Sequence, residues 1–180
     1  MLFPIINLIK TIRSFHLFEM LQPAYLPDSY AHLNASLAEL VDNIKNDKDG
    51  CKPLEAFIRR DHGGDTDKLE ALLRKGVYPY SYFTDVSVFD EQCLPPIKSF
   101  YNDMKEEHCS ESDYEHALWV WELFGMTTLK DYCQLYVYAD VLQLTSVLQL
   151  YRQQSLDSYG LDPIFYYSAP GNNRVLITNF

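Results

Sequence analysis

No apolar run in this chain approaches the ~20 residues that an α-helical membrane span requires, so no membrane partner is expected. Glycine is scarce, 7 in 180 residues, and there is no internal repeat, which excludes a collagen-like or low-complexity chain. Cysteine is limited to Cys51, Cys93, Cys109 and Cys133, spaced 42, 16 and 24 apart with no Cys-x-x-Cys. That spacing builds neither a zinc site nor a dense disulfide framework and points to a reducing, intracellular setting. Positive charge is short as well: 15 Lys plus Arg face 25 Asp plus Glu, a net charge of −10. The deficit deepens along the chain, from 10 basic against 13 acidic residues in 1–90 to 5 against 12 in 91–180. Phosphate contacts need clustered Lys and Arg, so a stand-alone DNA binder is not expected. Met1 to Ile9 is apolar but has no basic residue before it, and Lys10 and Arg13 follow where a small-residue cleavage site would stand, so no signal peptide is read.

What is present is apolar and helical. With 47% apolar residues, the chain has material for one compact domain or a piece of a larger one. Ser36 and Glu39 form a capping box ahead of Leu37, Leu40, Val41 and Ile44, predicting a helix over 37–45. Pro53 suits a first helical position before Leu54, Phe57 and Ile58. Asp65 or Thr66 can cap a helix carrying Leu69, Leu72 and Leu73, with Arg74 and Lys75 in its last turn and Gly76 as its stop. Residues 77–96, with Tyr-Pro-Tyr-Ser-Tyr and Pro95-Pro96, read as an irregular or partly extended connection. A second capping box, Ser112 with Glu115, opens a helix through Trp121 and Phe124 that Gly125 closes. Thr127 or Thr128 then opens the longest periodic segment, which runs to Tyr159, with Gly160 as its stop. The first thirty residues, with Pro4, Pro23 and Pro27, have room for a short strand and no assignable element.

On the last helix, at ~100° per residue from Tyr136, an apolar stripe of Leu129, Cys133, Leu144, Val147 and Tyr151 spans about 20° to 80° and Asp140 falls at about 40°. An unpaired buried charge costs several kcal/mol, roughly, so a donor network, a basic partner or a metal must compensate it. Tyr136 lies one turn earlier on the same face. Two readings follow. Asp140 is a structural hydrogen-bond acceptor between helices, or it is a metal-binding carboxylate beside a tyrosine that orients water or phosphate. Mg²⁺-dependent phosphodiester hydrolysis uses hard acidic ligands, and one Asp cannot build such a site.

The segment Tyr136-Val137-Tyr138-Ala139-Asp140-Val141-Leu142-Gln143-Leu144 resembles the third exonuclease motif, Tyr-x-x-x-Asp, of family B DNA polymerases. The likeness continues in an ordered series. Asp28-Ser29-Tyr30 with Leu33-Asn34 and Ser36-Leu37 comes first, then Lys75-Gly76-Val77-Tyr78-Pro79-Tyr80 and Leu94-Pro95-Pro96 with Phe100-Tyr101. Asp113-Tyr114-Glu115-His116-Ala117 with Trp121 follows, and Tyr159-Gly160-Leu161-Asp162-Pro163 with Tyr166-Tyr167 and Ala169-Pro170-Gly171 ends it. That order resembles the protein-primed polymerases of viruses, linear plasmids and Polinton-type transposons, over roughly residues 28 to 171.

The resemblance implies a helical fragment of an α/β, RNase H-like exonuclease domain, mainly α with at most a minor β element. Residues 1–27 would be unassigned, 28–160 the C-terminal part of the 3′-to-5′ exonuclease domain, and 161–180 a stub of the polymerase palm. Tyr136 and Asp140 would be the proofreading residues, Tyr136 positioning water or phosphate and Asp140 binding metal, with Mg²⁺ as cofactor. The partners implied are DNA, deoxynucleotides and a priming protein, in the nucleus for a transposon-encoded enzyme. The family's Asp-x-Glu and second exonuclease motifs, expected before Asp28, do not occur in residues 1–27, and 172–180 depart from the palm pattern. The fragment is therefore expected to be inactive alone. The competing class is a non-catalytic helical module that binds protein partners through its acidic surface.

Other signals are weaker. Asp65-Thr66-Asp67 imitates the palm's Asp-Thr-Asp but precedes the exonuclease motif and runs into a helix, so it reads as a cap. The His108, Cys109 and His116 spacing is not a ligand pattern. Tyr78, Tyr80 and Tyr82 suit packing on the following helices better than base stacking. Arg59, Arg60, Arg74 and Lys75 read as solvated helix ends.

Overall fold

Local capping chemistry accounts for most of the helix boundaries in the computed structural model, which describes residues 32–47, 49–103 and 106–166. Five α-helices follow one another: α1 Leu37–Ile44, α2 Lys52–Asp61, α3 Thr66–Leu72, α4 Glu111–Leu123 and α5 Leu129–Tyr159. Short 3-10 turns at Tyr80–Tyr82, Val86–Asp90 and Ile97–Phe100 carry the chain from α3 to α4, and another spans Pro163–Phe165. Among the described residues there is no sheet, and Asn102 with Glu107 makes an isolated antiparallel bridge. The chain is thus mainly helical, as its periodicity predicts. No helix of the described residues is long and apolar enough to cross a membrane. The strand considered for the first thirty residues lies outside the described residues.

Ser36 starts α1 with both arms of the expected box: its hydroxyl accepts from the Glu39 N–H, and the Glu39 carboxylate accepts from the Ser36 N–H. Pro53 occupies the first turn of α2. At the start of α3, the Asp65 carboxylate accepts from the N–H groups of Asp67 and Lys68, at 3.0 and 3.3 Å, so the Asp-Thr-Asp tripeptide is a cap. Two boundaries differ from expectation. The cap of α4 is Ser110, whose hydroxyl accepts from the Asp113 N–H; Ser112 lies inside the first turn, where its hydroxyl accepts from Arg74. Helix α3 ends at Leu72, so Arg74 and Lys75 lie beyond it rather than in its last turn, and Gly76 is not a left-handed stop.

Gly125 does end α4. Its φ of 61° permits the paired bonds Met126 N–H to Trp121 O and Gly125 N–H to Glu122 O, a Schellman closure. Helix α5 then begins where the Asp131 carboxylate accepts from the N–H groups and hydroxyls of Thr127 and Thr128. It runs 31 residues, roughly 46 Å, and stops at Gly160 with φ 65°.

Residues 34–162 form one compact unit, and the described residues 32–33 and 163–166 belong to another, in which the His32 ring bonds the Tyr166 carbonyl at 2.9 Å. Within the larger unit α5 is the spine, packing on α1, α2 and the Val86–Asp90 turn, while α3 packs on both α2 and α4. Leu54 and Ile58 of α2, Ala71 and Leu72 of α3, Val120 of α4, and Leu135 and Ala139 of α5 form one buried cluster. Leu94 and Phe100 of the irregular segment join Ala117 of α4 and Leu129 and Tyr132 of α5 in a second. The irregular segment is therefore tied to α5 by apolar burial, and its Tyr132 anchor also donates from its hydroxyl to the Val77 carbonyl at 2.6 Å.

Candidate functional site

The helix geometry that puts Tyr136 and Asp140 one turn apart brings both to the edge of α5 that the 75–80 segment crosses. This corrects the expected location of Asp140. The buried residues of the helix's central part are Tyr132, Leu135, Ala139, Gln143, Ser146 and Val147. On the ~100° wheel these centre roughly 90° away from Asp140. Of the apolar stripe expected around Asp140, Leu129 and Val147 are buried and Cys133, Leu144 and Tyr151 half-buried; the rest of the buried face goes unread because four of α5's buried residues are polar or amphipathic: Tyr132, Gln143, Ser146 and Ser155. Asp140 sits at the border, with 29% of its side chain exposed.

Four contacts join the two segments at Tyr136 and Asp140. The Lys75 ammonium lies 3.6 Å from Asp140 Oδ2. Gly76 passes so close to the Tyr136 ring that a Cβ there would stand 3.4 Å from ring carbon Cδ2. The rings of Tyr78 and Tyr136 have centroids 4.8 Å apart. The hydroxyls of Tyr80 and Tyr136 are hydrogen-bonded at 3.0 Å. Behind them Tyr78 stacks on Phe83 at 5.0 Å and its hydroxyl meets Cys133 Sγ at 3.0 Å.

Burial raises the Asp140 pKa above the usual carboxylate value, and the Lys75 charge with hydrogen bonding from Tyr136 and Lys75 only partly offsets it. Burial likewise raises the Tyr136 phenol, reinforced by the Tyr80 hydroxyl and the Asp140 charge. Tyr136 is therefore a neutral hydroxyl at physiological pH, able to donate to a phosphate oxygen or a water and unable to serve as a base. Mg²⁺ takes near-octahedral oxygen coordination, to which Asp140 brings one carboxylate already beside an ammonium. No three His, Cys, Asp or Glu side chains among the described residues converge to hold a metal. The described residues by themselves do not fit a Mg²⁺ centre.

The other sequence signals separate in space. The His108 ring packs on Tyr101 and the His116 ring on Trp119. Tyr82 donates to Glu91 at 2.8 Å, whereas Tyr80 keeps 63% exposure. Arg60 pairs with Asp61, Arg74 with Asp113 and Lys75 with Asp140, so three of the four cations of the basic concentration enter distinct ion pairs.

Two participants escape sequence reasoning. Lys75 reads as a helix end, and only the early stop of α3 turns it toward Asp140. Gln143, fully buried, donates from Nε2 to the carbonyls of Leu72 at 2.7 Å and Arg74 at 3.2 Å. Its one signal was a lone amide in the run Val141-Leu142-Gln143-Leu144. Comparison of the chain with protein-family models, curated proteins and solved structures found no match.

Proposed function

We propose that this chain is the later, mainly helical part of the RNase H-like 3′-to-5′ exonuclease domain of a protein-primed, family B DNA-directed DNA polymerase, with the start of its palm. One observation carries the reading: Lys75–Tyr80 and Tyr136–Leu144, two separate segments of the ordered series, meet at a single cluster. Chemically the cluster suits a proofreading role, because a permanently protonated tyrosine and a carboxylate stand one turn apart on a half-open edge. In the whole enzyme Mg²⁺ would supply Lewis-acid activation and a nucleophilic water, held by Asp140 together with further carboxylates. DNA, deoxynucleotides and a priming protein are the partners of that enzyme.

A second reading, a non-catalytic helical module for protein partners, is favoured by the ion pair itself: Lys75 already compensates Asp140 within the chain. The transcript carrying this reading frame separates the two. Under the polymerase reading it encodes Asp-x-Glu upstream and palm aspartates downstream, and its full product degrades single-stranded DNA from the 3′ end with Mg²⁺. Asp140→Ala then abolishes degradation. A transcript without those motifs, or a product whose activity is indifferent to Asp140→Ala, leaves the interaction module as the better account.

A further inference from the structure

We propose that Gln143 is a positioning residue: its side-chain amide registers the Lys75–Tyr80 segment on α5 and so sets the Lys75–Asp140 and Tyr80–Tyr136 pairs. Its consequence for proofreading rests on the polymerase reading, whereas the register itself does not.

The argument starts from what a buried amide requires. Gln143 has no exposed surface, and an amide taken from water without partners is unfavourable by several kcal/mol, roughly. Its Nε2 has two partners, the carbonyls of Leu72 and Arg74. The Leu72 carbonyl is the last of α3, where carbonyls have no helical donors, and the Arg74 carbonyl lies two residues beyond it. One amide thus does what a left-handed glycine or a last-turn lysine was expected to do, and does it from another helix. The Arg74 carbonyl belongs to the same planar peptide as the Lys75 nitrogen, so holding that oxygen orients the backbone from which the Lys75 side chain departs. Gly76 follows immediately, laid against the Tyr136 ring.

The register is short-range on α5 as well. Gln143 is three residues beyond Asp140 and seven beyond Tyr136, positions that share one side of a helix. A displacement at 143 is therefore transmitted directly to the place where Lys75 meets Asp140. Space filling alone does not require an amide, because Met or Leu would occupy a similar volume. Moreover, Gln143 Oε1 is buried and has no hydrogen-bond partner, a cost that an apolar residue would avoid. The donor function of Nε2 is what favours glutamine here.

NMR spectroscopy of the purified 180-residue chain tests this. In the unmodified protein the Gln143 side-chain amide protons should exchange with solvent far more slowly than those of exposed Gln134, and the Gly76 α-protons should be shifted upfield by the Tyr136 ring. Gln143→Met keeps the bulk and removes the donor. It should abolish the Gly76 shift and the proximity signals between the Tyr80 and Tyr136 rings while circular dichroism still reports the helices. A Gly76 shift retained in Gln143→Met would reduce Gln143 to a packing residue and overturn the proposal. Should Gln143→Met not fold, the unmodified protein decides: fast exchange of the Gln143 amide overturns the clamp and slow exchange upholds it. None of these signals needs nuclease activity, so they stand or fall apart from the polymerase reading. In a full product that does degrade DNA, Gln143→Met should lower kcat on the order of 10- to 100-fold at unchanged KM. An unchanged kcat would overturn the positioning role in proofreading.

Discussion

The Lys75 ammonium stands 3.6 Å from the Asp140 carboxylate, with 37% and 29% of the two side chains exposed. At that exposure such a pair contributes up to about 1 kcal/mol. Burial nevertheless dominates the titration of Asp140 and raises its pKa. Lys75 thus offsets only part of what it costs to remove the carboxylate from water. A carboxylate kept at a net electrostatic loss contributes little to folding, which is the condition expected of a residue retained for chemistry.

Asp140→Asn should therefore leave the stability of the chain within about 1 kcal/mol of the unmodified protein, or raise it. Lys75→Met, which leaves the half-buried carboxylate without its cation, should be destabilising by up to about 1 kcal/mol. Urea denaturation at pH 7 measures both. A loss of more than about 2 kcal/mol in Asp140→Asn would assign the carboxylate to a structural network.

Two histidines should give the chain a stability change just below neutrality. His62 is held below its ordinary pKa by burial, between the Phe57 and Phe124 rings, and by Lys68, against the opposing pull of Asp61 and Asp65. His116 is lowered by burial and by Arg74, against a hydrogen bond to Ala71 and the charge of Asp113. Below the unfolded value of about 6.5 the unfolded chain binds protons that the folded chain does not. Stability should fall as pH drops from about 6.5 toward the lowered folded values, and level off below them. His62→Phe and His116→Gln together should flatten this window in a series of urea titrations, leaving the acid limb of the carboxylates untouched.

The helices were legible where their signals were local. Ser36 with Glu39, Asp65, and the Thr128 and Gly160 limits of α5 depend on side chains within one turn of the boundary. Ser110 with Asp113 is an equally local signal, but it competes with the overlapping Ser112 and Glu115 pair, whose Ser112 hydroxyl instead accepts from Arg74 of a distant segment. The buried face of α5 was legible at Leu129 and Val147 but not at its polar members, for a related reason. Tyr132 and Gln143 are buried because Val77, Leu72 and Arg74 bring carbonyls to them, which hydropathy does not count. At the site, Tyr136 and Asp140 were legible as neighbours from helix geometry alone, whereas Lys75 and Tyr80 reach them only through the register of another segment.

Two glycines should respond oppositely to alanine. A Cβ at Gly76 would meet the Tyr136 ring at 3.4 Å, an ordinary contact, and its φ is not positive. Gly76→Ala should stay within about 0.5 kcal/mol of the unmodified protein or gain slightly from a stiffer unfolded chain. A Cβ at Gly50 would instead collide with the backbone carbonyl oxygen of Ile44. Gly50→Ala should lose about 1–3 kcal/mol as α1 and the following turn separate. Thermal denaturation of the pair checks the ranking, and equal losses would contradict the close approach at Gly50.

The purified 180-residue chain is expected neither to degrade single-stranded DNA with Mg²⁺ nor to extend a primer. Phosphodiester hydrolysis at paired metals needs several carboxylates converging within a few ångströms. Asp140 brings one, and its near neighbours are the Lys75 ammonium and the Tyr136 phenol, which stays protonated. The net charge of −10 adds repulsion toward a polyanion. End-labelled oligonucleotides incubated with the chain and Mg²⁺ should keep their length, and Asp140→Ala should behave identically. Shortening that disappears in Asp140→Ala would mean that residues outside the described segments complete a metal site with it, and the chain would then have to be regarded as a nuclease in its own right.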